Sequence, residues 1–387
     1  MTPLRTLAEL GQSVWYDYIR RDLYQGPELR RLIENDDLRG MTSNPTIFAK
    51  AIVETDLYDE AIGRLVVNAA SAEEIFEALV VEDVRGAADV FRPVFESTDG
   101  DDGFVSIEVG PQFARDTAGS IAEARRLWNA CDRPNVMVKI PATEEGIPAI
   151  RQCLAEGINI NITLLFSVPR YRQVMEAYLA AMEQRLGEGL PVDRIRSVAS
   201  FFVSRVDTSV NRALDAVASD TSRPERVRQT AGALKGKVAI ANAQIAYEAF
   251  EGVFNSARFA KLKERGAHLQ RPLWASTSTK DPAYPDLYYV EALIGPDTVD
   301  TMPPETFAAF RDHGRPKVRI HHQLAEAHSV FERLELFEID FDRISLDLEA
   351  EGARKFVASY DAALQTVWQK RGLNDSHQAH VRRSRAR

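Results

Sequence analysis

The chain has 387 residues, 45% hydrophobic and 27% charged, the balance of a soluble globular protein, and it is long enough for one large α/β barrel or two ordinary domains. Its 48 Lys and Arg against 57 Asp and Glu leave a net charge of −9, which argues against nucleic acid and anionic membrane as partners and confines any phosphate site to a local basic pocket. No run approaches the roughly 18 apolar residues of a membrane helix; the opening MTPLRTLAELGQSVWYD lacks a leader's apolar core, and Cys131 and Cys153 have no CxxC or metal-ligand spacing, so a reducing cytoplasm is the expected location.

Short apolar or β-branched runs alternate with longer amphipathic segments, the pattern of βα units and a parallel sheet. In chain order the expected strands are 13–17, 38–43, 103–109, 135–140, 160–165, 196–203, 271–277 and 297–302. Eight strands with helical stretches between most of them predict a closed (β/α)8 TIM barrel forming one domain over 1–387. No GxGxxG follows the first strand, so a dinucleotide fold has little support. Extra helices are expected from Ser71 to Phe95 and from Asn211 to Leu269. From Lys317 the pattern turns wholly helical, and helices over 317–374 are expected to close the barrel's side. The basic, apolar-poor end, 375–387, reads as a frayed tail.

Chemistry in such a barrel gathers at the carboxyl ends of the strands. Lys139 in NVMVKIPAT is flanked by Val136, Met137, Val138 and Ile140, with no acid beside it in the sequence. Such a lysine either snorkels to the rim to find a carboxylate or is held as a nucleophile able to form a Schiff base. Asp17 ends the first strand, Asn44 follows the second in MTSNPTIF, and Glu108 lies in the third. Asn161 and Thr163 lie in the fifth, Ser200 and Arg205 around the sixth, and Ser276 in the seventh. Each has a plainer reading: Asp17 as a helix cap, Asn44–Pro45 as a turn pair, Thr163 as a strand former. Their coincidence on successive strands favours a site. Arg205, with the hydroxyls of Ser276, Thr277, Ser278 and Thr279 and the ammonium of Lys280, makes a phosphate cradle plausible beside a solvated-loop alternative. His321, His322 and His328 fall in the late helical stretch, away from the strands, so a metal-dependent aldolase has little support.

These motifs, MTSNPTIF, FVSIEV, VMVKIPAT, GININITLLFS, SVASFFVSRVD, LKGKVAIANAQ and RPLWASTSTKDP, resemble those of transaldolases of the longer bacterial type, from about Gly11 to His313. The resemblance implies transfer of a dihydroxyacetone unit between sugar phosphates, with no metal or other cofactor; monomer and homodimer both stay open. It implies that Lys139 is the Schiff-base lysine, that Asp17 is the acid/base at the C4 hydroxyl, and that Glu108 with Thr163 manages the water of imine formation and hydrolysis. Asn44, Asn161 and Ser200 would bind hydroxyls, Phe202 would line the substrate site, and Arg205, Ser276, Ser278 and Lys280 would meet phosphate. Shorter members carry arginine where Ser278 stands, so Lys280 is the expected replacement. Fructose 6-phosphate aldolases, the rival within the superfamily, carry Gln at Glu108 and Tyr at Phe202, so the residues here lean to transfer.

Overall fold

A computed structural model describes residues 2–67 and 71–385, with side chains as far as Gly372. Eight parallel strands close into a barrel in sequence order. They are β1 (Gln12–Asp17), β2 (Gly40–Thr42), β3 (Phe104–Glu108), β4 (Val136–Pro141), β5 (Ile160–Leu165), β6 (Ser197–Phe202), β7 (Gln270–Ala275) and β8 (Thr298–Met302). β8 closes the ring on β1, from Gln12↔Thr298 to Tyr16↔Met302. All eight expected strands are present, most with ends shifted by one residue and two with larger differences. β2 is reduced to three residues, and β7 stops at Ala275 because Ser276 turns into the left-handed region (φ 57°), so 276 and 277 begin a loop.

Side chains alternate across a strand, so one set from each strand meets at the barrel axis. Trp15, Phe104, Met137, Val198, Leu273, Ala275 and Val299 form an apolar plug distinct from the main core. One or two pleats further along the same faces come Asp17, Glu108, Lys139, Ser200 and Thr301. The intervening residues Val138, Ile140, Ile162, Phe201 and Trp274 pack outward into the larger core against the helices. Gly40 makes the plug possible, since a Cβ there would lie 2.6 Å from the Trp15 indole. At the amino end of the barrel, Asp102 accepts from Ser13 (2.7 Å) and Arg271 (2.8 Å) and so satisfies that end.

The first expected insertion is the helix Ala72–Ser97, opened by a capping box in which Ser71 and Glu74 satisfy each other's backbone N–H. Its buried Asp83 receives Arg21, Tyr24 and Tyr58 at 2.7–3.1 Å, joining the helix to the segment after β1. The second insertion contributes the helices Glu225–Leu234, Val238–Phe254 and Ala257–Lys263.

Helix does not begin at Lys317. The stretch 317–323 is irregular: the N–H groups of Arg319 and Ile320 donate to the Ile294 carbonyl, Gln323 adopts φ 63°, and helix starts at Leu324. The last helix, Phe341–Arg385, runs over the stretch expected to fray; residues 386 and 387 lie outside the described residues. Its buried positions Ser345, Leu348, Gly352, Ala363 and Val367 form one stripe at helical spacing. That stripe reaches the barrel's carboxyl-end mouth rather than only its side. Gly352 is the point of closest approach, since a Cβ there would lie 2.8 Å from Leu164 Cδ2 on β5. Further on, Lys370 Nζ donates to the Thr55 carbonyl (2.7 Å) and pairs with Asp59 (2.6 Å). Among the described residues no helix is long and apolar enough to cross a membrane.

Candidate active site

A cavity of about 550 Å³ opens at the carboxyl ends of the strands. Its wall includes Asp17, Asn44, Glu108, Lys139, Thr163, Ser200, Phe202, Arg205, Ser276, Ser278 and Lys280, so eleven of the twelve residues expected from the sequence share one mouth.

Strand register builds its centre. Glu108 and Lys139 are paired across β3 and β4, which brings the Glu108 carboxylate to 3.4 Å from Lys139 Nζ. The lysine that has no acid beside it along the chain therefore has one beside it in the fold. Nζ also donates to the Ser43 carbonyl at 3.2 Å, and only 11% of either charged side chain is exposed. Burial pushes the Glu108 carboxyl above the usual carboxylate range, against the opposing pull of Lys139.

Asp17 is the second carboxylate. Its Oδ1 accepts from Thr42 Oγ1 at 2.8 Å, and Thr42 meets Thr301 Oγ1 at 2.7 Å, so a short hydroxyl chain from β2 to β8 orients it. Burial raises its carboxyl too, opposed first by Lys139 and then by the Thr42 hydrogen bond. Neighbouring carboxylates in one low-dielectric mouth, each tied to a different group, are suited to separate proton-transfer tasks.

Thr163 owes its position to an irregularity. The β5–β6 register shifts between Ile162 and Leu165, and Leu164 takes φ 56°, so the strand bulges at the mouth. Asn44 caps the helix Pro45–Glu54, its Oδ1 accepting from Ile47 N at 3.1 Å, which leaves its amide NH2 free to serve as a donor.

Asn161 is the residue of the twelve that does not reach the cavity wall. It is fully buried, its Nδ2 donating to Ser106 Oγ (3.0 Å) and its Oδ1 accepting from Ser200 Oγ (2.7 Å). In this arrangement it orients Ser200 from below.

The basic side of the mouth is formed where β6 and β7 end. Arg205 lies in the first turn of the helix Ser204–Ser219 and over the Phe202 ring, 5.1 Å from its centroid; burial holds its guanidinium below its ordinary value. Ser204 and Ser276 meet through their hydroxyls (2.9 Å) and a backbone bond (3.0 Å). Beyond them the turn alternates. Thr277 donates to buried Asp300 (2.9 Å) and Thr279 to the carbonyls of Pro285 and Asp286, while Ser276, Ser278 and Lys280 line the cavity. Lys280 Nζ lies 3.2 Å from Ser278 Oγ.

Sequence reasoning missed Thr42, Thr301, Ser106 and the contribution of the last helix, whose Gly352, Lys355, Phe356 and Ser359 cover part of the same cavity. Thr42 was legible in principle, two residues before Asn44 at the end of β2. The helix was not, because nothing local reports where it docks. His328, on the helix Leu324–Leu336, pairs with Glu248, and His321, which lies in the irregular stretch before that helix and not in a helix as expected, pairs with Glu251; both are away from the mouth.

A family model described as Transaldolase/Fructose-6-phosphate aldolase matches residues 14–367. Curated relatives include "Transaldolase" of Thermobifida fusca, 48% identical over 372 residues (95% of this chain, 98% of the relative), and "Transaldolase" of Saccharopolyspora erythraea, 47% identical over 365 residues (94% and 96%). "Transaldolase 2" of a Nostoc species is 44% identical over 366 residues (94% and 96%). With a Lys–Glu pair and a second carboxylate at the mouth of an eight-stranded barrel, and likeness along nearly its whole length, the chain belongs to the transaldolase/fructose-6-phosphate aldolase family.

Proposed function

We propose that this chain is a transaldolase that moves a dihydroxyacetone unit from sedoheptulose 7-phosphate to glyceraldehyde 3-phosphate, giving erythrose 4-phosphate and fructose 6-phosphate, reversibly. The observation that carries the reading is a near-buried Lys139 amine paired with Glu108 in the mouth that also holds Asp17. The Lys139 amine adds to the C2 carbonyl and water leaves, giving a protonated imine. Asp17 takes the C4 hydroxyl proton, the C3–C4 bond breaks, and its electron pair is held as the enamine while the aldose phosphate departs. The enamine then adds to the acceptor aldehyde, and Asp17 returns its proton to the new alkoxide. Glu108 with Thr163 places the water that hydrolyses the imine and restores the free amine. Asn44 and Ser200 donate to the dihydroxyacetone hydroxyls, Asn161 steadies Ser200, and Arg205 with the Ser276–Ser278–Lys280 turn meets phosphate. The imine supplies the electron sink, so the scheme calls for no metal. Free buried thiols at Cys131 and Cys153 and sugar phosphate substrates fit a reducing cytoplasm.

Borohydride reduction in the presence of fructose 6-phosphate, followed by peptide mapping, should place one adduct on Lys139; absence of the adduct defeats the mechanism. The aldolase rival is tested by omitting the acceptor aldose. Glu108 and Phe202 favour transfer, so release of free dihydroxyacetone should be slow without acceptor, and rapid release would assign the chain to the lyases.

A further inference from the structure

We propose that Lys355, carried over the barrel mouth by the last helix, is a phosphate-binding residue of this site, and that Glu351 occupies its ammonium in the free protein. The inference rests on the transaldolase reading and adds to it a group from outside the barrel.

Three observations carry it. The helix is seated on the rim itself: Gly352 abuts Leu164, the left-handed residue next to Thr163, at a distance that leaves no room for a Cβ. One turn further on, Lys355 lines the same cavity as Arg205, Ser276, Ser278 and Lys280. Its ammonium is paired with Glu351, one turn before it, and 63% of the Lys355 side chain is exposed. Glu351 is near enough to Arg205 for its negative charge to favour the guanidinium, against the burial that lowers it. The Lys355 hydrogen bond, with Arg205 and Arg212 behind it, holds the Glu351 carboxyl below its usual range.

Charge balance shows what this arrangement is for. A phosphate monoester carries close to two negative charges at neutral pH. Arg205 and Lys280 supply two positive charges, and the Lys355–Glu351 pair adds no net charge while it is closed. Once phosphate replaces Glu351 as its partner, the Lys355 ammonium adds a third cationic donor to the anion. The exchange costs little, because an exposed ion pair of this kind contributes almost nothing by itself.

The test is steady-state kinetics with fructose 6-phosphate as donor and erythrose 4-phosphate as acceptor. Lys355→Gln should raise the KM for fructose 6-phosphate about tenfold and weaken competitive inhibition by inorganic phosphate in parallel, with kcat within about twofold of the parent. Lys355→Arg should restore both, and Glu351→Gln should lower the KM. With unphosphorylated fructose as donor, Lys355→Gln should match the parent, which separates phosphate contact from general disturbance of the mouth. Parental KM and phosphate inhibition in Lys355→Gln would overturn the inference, as would equal losses with fructose and fructose 6-phosphate. Borohydride trapping distinguishes the two levels of failure. If the parent forms no Lys139 adduct, the transaldolase reading falls; if the parent forms it and Lys355→Gln binds phosphate as the parent does, only the role of Lys355 falls.

Discussion

Asp300 offers a quantitative test of how the turn after β7, from Ser276 to Lys280, is held. Its carboxyl is fully buried on the outer face of β8, where Oδ1 accepts from Thr277 and Oδ2 has no partner among the described residues. Burial drives its pKa from 3.8 to about 7. In the unfolded chain the same group ionises near ~4. Between these values the folded protein keeps a proton that the unfolded chain has lost, so stability falls as pH rises through the window and levels off above about 7. The full shift of about three units corresponds to about 4 kcal/mol, and the part crossed between pH 5 and pH 8 to about 3 kcal/mol. Asp300→Asn keeps an acceptor for Thr277 and removes the titration. Urea unfolding followed by tryptophan fluorescence, with Trp15 and Trp274 both buried, gives the free energy at each pH. Expected is a wild-type loss between pH 5 and pH 8 that exceeds the variant's by about 3 kcal/mol. Asp207, which burial raises to about 6, titrates in both proteins and cancels in the difference. Parallel pH dependences for the two proteins would refute the claim that Asp300 is held neutral.

Thr42→Val removes the hydroxyl that favours ionised Asp17, so the Asp17 pKa should rise further and the acid limb of the kcat/KM profile should move to higher pH by about one unit, with activity near pH 8 largely kept; an unmoved limb would exclude Asp17 as the titrating base. Arg21→Met leaves Asp83 buried without its cation and should cost about 3–5 kcal/mol in urea unfolding at pH 8, and less at pH 5 where protonation relieves it. A loss below about 1 kcal/mol would show that the two tyrosines suffice. Truncation after Asn374 spares Val367 and the Lys370 contacts to Thr55 and Asp59, so turnover should stay within about twofold of the full chain; a collapse in kcat would assign the end of the last helix a part in the site.

The strand pattern was legible because alternation has a period of two and needs no partner to be read. The same alternation that makes Met137 part of the plug turns Lys139 toward the mouth, and this repeats for Trp15 and Asp17. The Ser276 turn was legible in composition but not in extent, since the left-handed backbone that ends β7 falls on a serine, where no glycine marks it. The start of helix after Lys317 differs for a related reason: 317–323 has helical composition, but the N–H groups of Arg319 and Ile320 are taken by the Ile294 carbonyl.

By itself, then, the sequence determined the eight strands, the polar residue at the end of almost every one, and a set of motifs sufficient to name the family. Tertiary structure decided who meets whom. Closure of the barrel placed Glu108 against Lys139 across two strands, and set Asn161 below Ser200 instead of in the mouth. Docking of the last helix, tied to residues as much as 315 positions earlier, brought Lys355, with Glu351 paired to it, to a mouth built by other segments. The division follows from the forces. Periodic burial acts within one strand or turn and is written locally, whereas register, closure and helix docking are set by packing between segments far apart in the chain.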